Sequence, residues 1–165
     1  MTCAWVAVLE IARGQGKSSK LVAAAVTLGA ALAQARSVGG QVSAGAGTIA
    51  QAGTGTTIDQ SSQNLAINWQ GFSIAANETV RFNQPNAFAI ALNRVTGQNP
   101  SQILGSLSAN GQVFVINPNG VLFGTTAPVN VGGLVATTLG LGDADFMAGR
   151  WLTIFGNREY APTPR

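Results

Sequence analysis

The residue types that most often carry catalysis are nearly absent from this chain. Its 165 residues include no histidine, the single cysteine is Cys3, and the lysines, Lys17 and Lys20, both precede Arg36. From Arg36 onward, zinc ligation, Ser/His or Cys/His nucleophilic attack and Schiff-base chemistry therefore lack their usual participants. Of the five acids in that stretch, only Asp143 and Asp145 are close together. An Asp-x-Asp pair can hold Ca²⁺ or do acid/base work when other ligands converge on it. None is apparent here, and Asp143 fits better as the N-cap of a short helix over residues 143–149. Residues 13–18 (RGQGKS) look like a phosphate loop, but a Walker A motif needs glycine where Ile11 stands. No metal or organic cofactor is expected, and the chain reads as a non-enzyme.

What remains is chemistry of shape and hydrogen bonding, and it concentrates at Asn117, Pro118, Asn119 and Gly120. Pro118 presets φ at the second turn position, Asn117 can accept a backbone N–H, and Asn119 and Gly120 tolerate the φ values that bulkier residues resist. Apolar runs at 113–116 and 121–123 flank this turn. Asn68, Asn93 and Asn117 each border an apolar run, which suits corners where a side-chain amide satisfies a turning backbone. Trp69 and Phe72, with Phe82 and Phe88 after them, read as core aromatics, because the basic interleaving of a stacking platform is missing. Arg94, a lone cation in a neutral stretch, is expected either to pair with an acid such as Glu78 or to face a partner.

The elements that position these residues are strands. Short β-type runs recur at 65–69, 72–74, 79–82, 87–92, 103–107, 113–116, 121–123, 129–131, 134–138 and 151–155, after a Gly/Ala/Thr-rich lead over 39–57. Residues 101–105 could close one helical turn. Such spacing suits a sandwich or a solenoid of short strands. Period-2 alternation is rare, and uncharged Asn, Thr, Ser and Gln replace the usual Lys/Glu surface, with only 9% of residues charged. Stacked turns put like side chains about 4.8 Å apart, where amides can bond to one another and charges would repel. A parallel solenoid is therefore the preferred reading.

Charge is uneven. Residues 1–35 carry Arg13, Lys17 and Lys20 against Glu10, a net +2, and the remainder has six arginines and five acids, a net +1. A stripe of cations able to neutralise several phosphates is missing, which argues against a nucleic-acid partner. The basic start, the apolar run 21–32 and the small residues Ala33 and Ala35 form a secretory signal pattern, with cleavage expected after one of those two alanines. Twelve apolar residues are too few for a lasting span of roughly 30 Å of hydrocarbon. A cysteine-free body also stays unlinked in an oxidising compartment.

Taken in order, residues 66–74 (AINWQGFSI), 78–82 (ETVRF), 92–96 (LNRVT), 103–105 (ILG), 110–120 (NGQVFVINPNG), 134–138 (LVATT) and the pair Asp145 and Phe146 resemble the amino-terminal secretion domain of two-partner secretion exoproteins, the filamentous-haemagglutinin-like adhesins. Residues 5–17 (WVAVLEIARGQGK) are similar to the end of the extended signal peptide on such proteins. The resemblance implies an all-β fold, a right-handed parallel β-helix with an amino-terminal β cap, preceded by a signal-peptide helix. Its divisions would be an extended signal peptide over 1–35, an incomplete β-helix over 36–156 and an irregular tail over 157–165. It further implies handling by the general secretion machinery, recognition by the periplasmic domains of a partner outer-membrane transporter, and export to the cell surface or medium. The Asn117–Gly120 motif would belong to the segment implicated in secretion, with Asn68, Trp69, Phe72, Asn93 and Arg94 as secondary motif positions. Two other readings are a secreted β-helix polysaccharide-degrading enzyme, for which acids and cations are in short supply, and an inert adhesin stub.

Overall fold

The computed structural model describes residues 36–151 and, ahead of them, a strand at Val6–Val8. The expected leader helix over 21–32, Ala33, Ala35 and the tail 157–165 lie outside the described residues. With strands numbered in chain order, one sheet runs β1 (Val6–Val8), β13 (Gly133–Thr137), β10 (Gln112–Ile116), β7 (Ile90–Val95), β5 (Asn64–Trp69), β2 (Gln41–Ala44) in space. A second runs β12 (Val129–Asn130), β9 (Ser106–Ala109), β6 (Thr79–Asn83), β4 (Gly55–Gln60), β3 (Gly47–Ala52), and a third pairs β11 (Val121–Phe123) with β8 (Ser101–Ile103). Pairing is parallel except where β2 meets β5 and β3 meets β4. The chain passes from sheet to sheet in a parallel β-solenoid of about four turns, with the antiparallel β2 and β3 at its amino-terminal end.

Register explains why no repeat is visible in the sequence. Leu65 stands opposite Ala91, Ala91 opposite Val113, and Val113 opposite Leu134, so successive turns are 26, 22 and 21 residues apart. The corners absorb the differences while the strands stay aligned. Alternation is clear on β6, where Val80 and Phe82 are buried and Thr79, Arg81 and Asn83 are exposed. On β5, β7 and β10 both faces are covered, and alternation disappears.

The inner faces build the lumen core from Leu65, Ile67, Trp69, Val80, Phe82, Leu107, Val113 and Val115. A second core lies outside the coil: Ala66, Leu92, Phe114 and Ile116 are covered by Leu141 and Phe146. Phe146 belongs to the short helix α1 (Asp143–Met147). The Phe146 and Phe114 rings are 6.4 Å apart, and Trp151 meets Phe114 edge-on at 5.3 Å. Residues 139–151 thus form a strap over the long sheet.

Several local expectations change in this setting. Residues 101–103 form β8 instead of a helical turn, because Ser101 N donates to Gly120 O (2.9 Å) and Gly124 N to Ile103 O (2.8 Å) across neighbouring turns. Phe88 is 78% exposed, not core: Asn86 Oδ1 accepts Phe88 N (2.9 Å) in a loop that enters the strand only at Ile90. Gly142, not Asp143, is the N-cap of α1 and makes no side-chain cap bond. The Gly/Ala/Thr-rich lead holds β2, β3 and the start of β4. Trp151 has helical backbone, and residues 152–155 lie outside the described residues.

Removing the strap's anchor tests its weight. Phe146 is fully buried, so Phe146→Ala should cost about 3–5 kcal/mol in urea unfolding. Leu122→Ala, at a position 58% exposed, should change stability by less than about 0.5 kcal/mol.

Candidate recognition site

The turn at Asn117–Gly120 sits at a corner between β10 and β11, and its local chemistry works as its residue types imply. Gly120 N donates to Asn117 O (3.0 Å), closing a β-turn, and Gly120 has φ +107°. A Cβ there would meet no atom within 4 Å, so glycine is needed for its backbone angle and not for space. Asn117 is fully buried. Its Nδ2 donates to Asn99 O (3.0 Å) and Ser101 Oγ (2.9 Å), and its Oδ1 accepts from Asn119 N (2.9 Å) and Asn119 Nδ2 (3.1 Å). Asn119 Nδ2 also reaches Gly97 O (2.9 Å), and Asn117 N donates to Thr137 O (3.0 Å). One corner is therefore tied to the turns before and after it.

The same stacking imposes close backbone approach at Gly97. A Cβ on Gly97 would lie 2.0 Å from Gln70 O, in the corner of the turn before. Pro118 and Asn119 are the exposed residues of the motif. The motif itself contains no titratable side chain; it offers a rigid surface of amide, pyrrolidine and backbone.

The secondary motif positions divide between the inside and outside of the coil. Trp69 and Phe72 are buried with ring centroids 5.4 Å apart, as expected of core aromatics. Asn93 is not at a corner. It points into the lumen at 0% exposure, where Oδ1 accepts Trp69 Nε1 (3.0 Å) and Nδ2 lies 3.3 Å from both Ala91 O and Phe114 O. Asn68 is likewise mid-strand, and it meets Arg94 on the outer face: Arg94 Nη1 donates to Asn68 Oδ1 at 2.9 Å. Arg94 Nη2 donates to Leu141 O (2.5 Å) and Asp143 Oδ1 (2.6 Å). The partner of Arg94 is therefore Asp143 on the strap, while Glu78 pairs with Arg36 at 3.0 Å. Asp145 goes to Arg150, so the Asp-x-Asp pair is divided between two arginines. Neither acid takes part in a group of three or more metal-ligating side chains among the described residues.

Reading by residue type missed an amide hub at another corner. Gln84 Nε2 donates to Gln60 Oε1, Ala89 O and Gln112 O, and its Oε1 accepts Gly111 N (2.8 Å). Asn110 clasps the Gln84 backbone through two 2.7 Å bonds. The available signals were the Gln84–Pro85 and Asn110–Gly111 pairs, both of which mark turns. No buried side-chain nitrogen or oxygen among the described residues is without a partner.

Two stability outcomes follow from these bonds. Asn117→Ala leaves Asn99 O and Asn119 N unsatisfied and should cost about 1–3 kcal/mol, while Gly120→Ala should cost about 1–2 kcal/mol for its positive φ. Both are readable from urea midpoints. A double-mutant cycle between Arg94→Met and Asp143→Asn should give a coupling of roughly 1 kcal/mol, falling in high salt.

Comparison with known proteins agrees with this architecture. Residues 30–161 match the TPS secretion domain family. The chain is 46% identical over 112 residues to the heme/hemopexin-binding protein of Haemophilus influenzae (strain ATCC 51907 / DSM 11121 / KW20 / Rd), covering 67% of this chain and 12% of that protein. A second heme/hemopexin-binding protein of Haemophilus influenzae is 51% identical over 82 residues, covering 50% of this chain and 9% of its own length. The chain thus spans about an eighth or less of these relatives. Among solved structures, the HMW1 secretion domain from Haemophilus influenzae superposes with a TM-score of 0.65 at 40% identity, over 68% of this chain and 30% of that one. A solenoid of unequal turns closed by amide-filled corners, matched over most of its length, places this chain in the TPS secretion domain family, the secretion domain of two-partner exoproteins.

Proposed function

We propose that this chain is the secretion-targeting module of an exported exoprotein, recognised by the periplasmic domains of a partner outer-membrane transporter and carried to the cell surface or medium. The family match over residues 30–161 carries the reading. The site's chemistry supports it: the corner at 117–120 holds only neutral groups, which suits a surface that is bound and not one that reacts. Asn117 shapes the corner from within, and Pro118 and Asn119 present it. An unfolded stretch of the same strands offers backbone bonds and alternating side chains for strand addition, a mode open to a chain still in transit. Residues 1–35 would hand the chain to the general secretion machinery and be removed after Ala33 or Ala35. Membership of an adhesin belongs to the same proposal.

Haem binding is not part of it. The chain has no histidine, and Met147 is the one Cys, Met or Tyr side chain among the described residues, so the described body lacks the usual axial ligand sets.

Binding of the purified chain to the periplasmic domains of a cognate transporter tests the assignment. The unaltered chain should bind, and Asn117→Ala with Asn119→Ala should weaken binding at least about tenfold, a change of roughly 1.4 kcal/mol. Failure of the unaltered chain to bind would remove the targeting role. Full binding by the double variant would remove the corner from recognition while leaving the module's role intact.

A further inference from the structure

One arginine differs from the others in its surroundings. Among the described residues, Arg36, Arg94 and Arg150 are each ion-paired with an acid. Arg81, exposed in the middle of β6, makes neither an ion pair nor a hydrogen bond with any of the described residues. Asp59, the remaining acid there, accepts Asn83 Nδ2 at 2.7 Å instead.

Arg81 lies in a row that crosses four strands. Thr57 stands opposite Arg81, Arg81 opposite Ser108, and Ser108 opposite Asn130. Val80 and Phe82 on either side of Arg81 are buried, so the row is on the outer face of its sheet. Its side chains are spaced at about 4.8 Å, the distance between strands. Among the described residues none of the four has a side-chain hydrogen-bond partner, whereas most other amides do. Arg81, Ser108 and Asn130 also line an open depression of about 410 Å³, with Asn110, held rigid on Gln84, as one wall.

We propose that this row is a binding site for an acidic polysaccharide. One carboxylate or sulfate of the chain sits on the Arg81 guanidinium, whose planar fork suits either group, and neighbouring sugar hydroxyls bond to Thr57, Ser108 and Asn130. A single cation among neutral donors matches a ligand that carries isolated charges between hydroxyls. Nucleic acid fits poorly, since its backbone calls for several cations and its bases for exposed aromatic rings. Asp59, one row over, opposes the ligand's charge and keeps the site weak and salt-sensitive.

Calorimetric titration of the full chain with κ-carrageenan, a sparsely sulfated chain, and with hyaluronate, a sparsely carboxylated one, and with neutral dextran as control, tests the site. At least one acidic polymer should bind, more weakly as salt rises, and dextran should not. A response to κ-carrageenan alone identifies sulfate as the group held, and one to hyaluronate alone identifies carboxylate. Arg81→Gln should lower affinity at least tenfold with an unchanged unfolding midpoint, Asp59→Asn should raise it severalfold, and Arg150→Gln should leave it unchanged. Absence of binding to both polymers, full binding by Arg81→Gln, or an equal loss in Arg150→Gln would overturn the proposal.

Discussion

Each turn of a β-solenoid must leave one sheet and enter another, and at every such corner the backbone gives up its ladder partners. An amide or carbonyl buried there without a partner costs about 1–3 kcal/mol, so the fold depends on filling the corners with side chains that both donate and accept. Gln84, Gln60, Asn110 and Asn117 do this, and the described residues contain no orphaned buried side-chain polar atom. The neutral amide suits the role because it has both kinds of group and no charge to repel its neighbour one turn away. The low charge of the chain follows from that constraint.

The same constraint organises the proposed recognition corner. Because Asn117 is spent on holding three turns together, the outward part of the motif reduces to Pro118 and Asn119 on a stiff corner. Arg94 performs a comparable service on the outer face. By gripping Leu141 O and Asp143, it anchors a strap whose Phe146 and Trp151 cover an apolar stripe that the coil alone would leave wet. Two of the positions that the resemblance singled out, Arg94 and Asn93, thus act through architecture: one closes the outside of the long sheet, the other satisfies the Trp69 indole inside the lumen.

Much of this was legible in residue types. The Asn-Pro-Asn-Gly turn, the burial of Trp69 and Phe72, the short-strand pattern and the preference for a solenoid all rest on local stereochemistry and burial, which act over a few residues. Phe88 departs from the expected burial because apolar character in a β-type run implies burial only if the run enters a sheet, and an Asx turn at Asn86 delays that entry to Ile90. Residues 101–103 were ambiguous for the same reason: three residues adopt whichever hydrogen bonds their neighbours offer.

By itself, the sequence determined an all-β chain with corners of amide, proline and glycine, a body poor in catalytic groups, and ordered motifs that resemble one secretion family. Only the tertiary structure decided which turn lies on which, because separations of 26, 22 and 21 residues carry no fixed period. That stacking alone paired Arg94 with Asp143, left Arg81 without an acid partner among the described residues, and set Thr57, Ser108 and Asn130 beside it. The physical reason is that side-chain partners in a solenoid are chosen across strands, by register, among residues a whole turn of the coil apart.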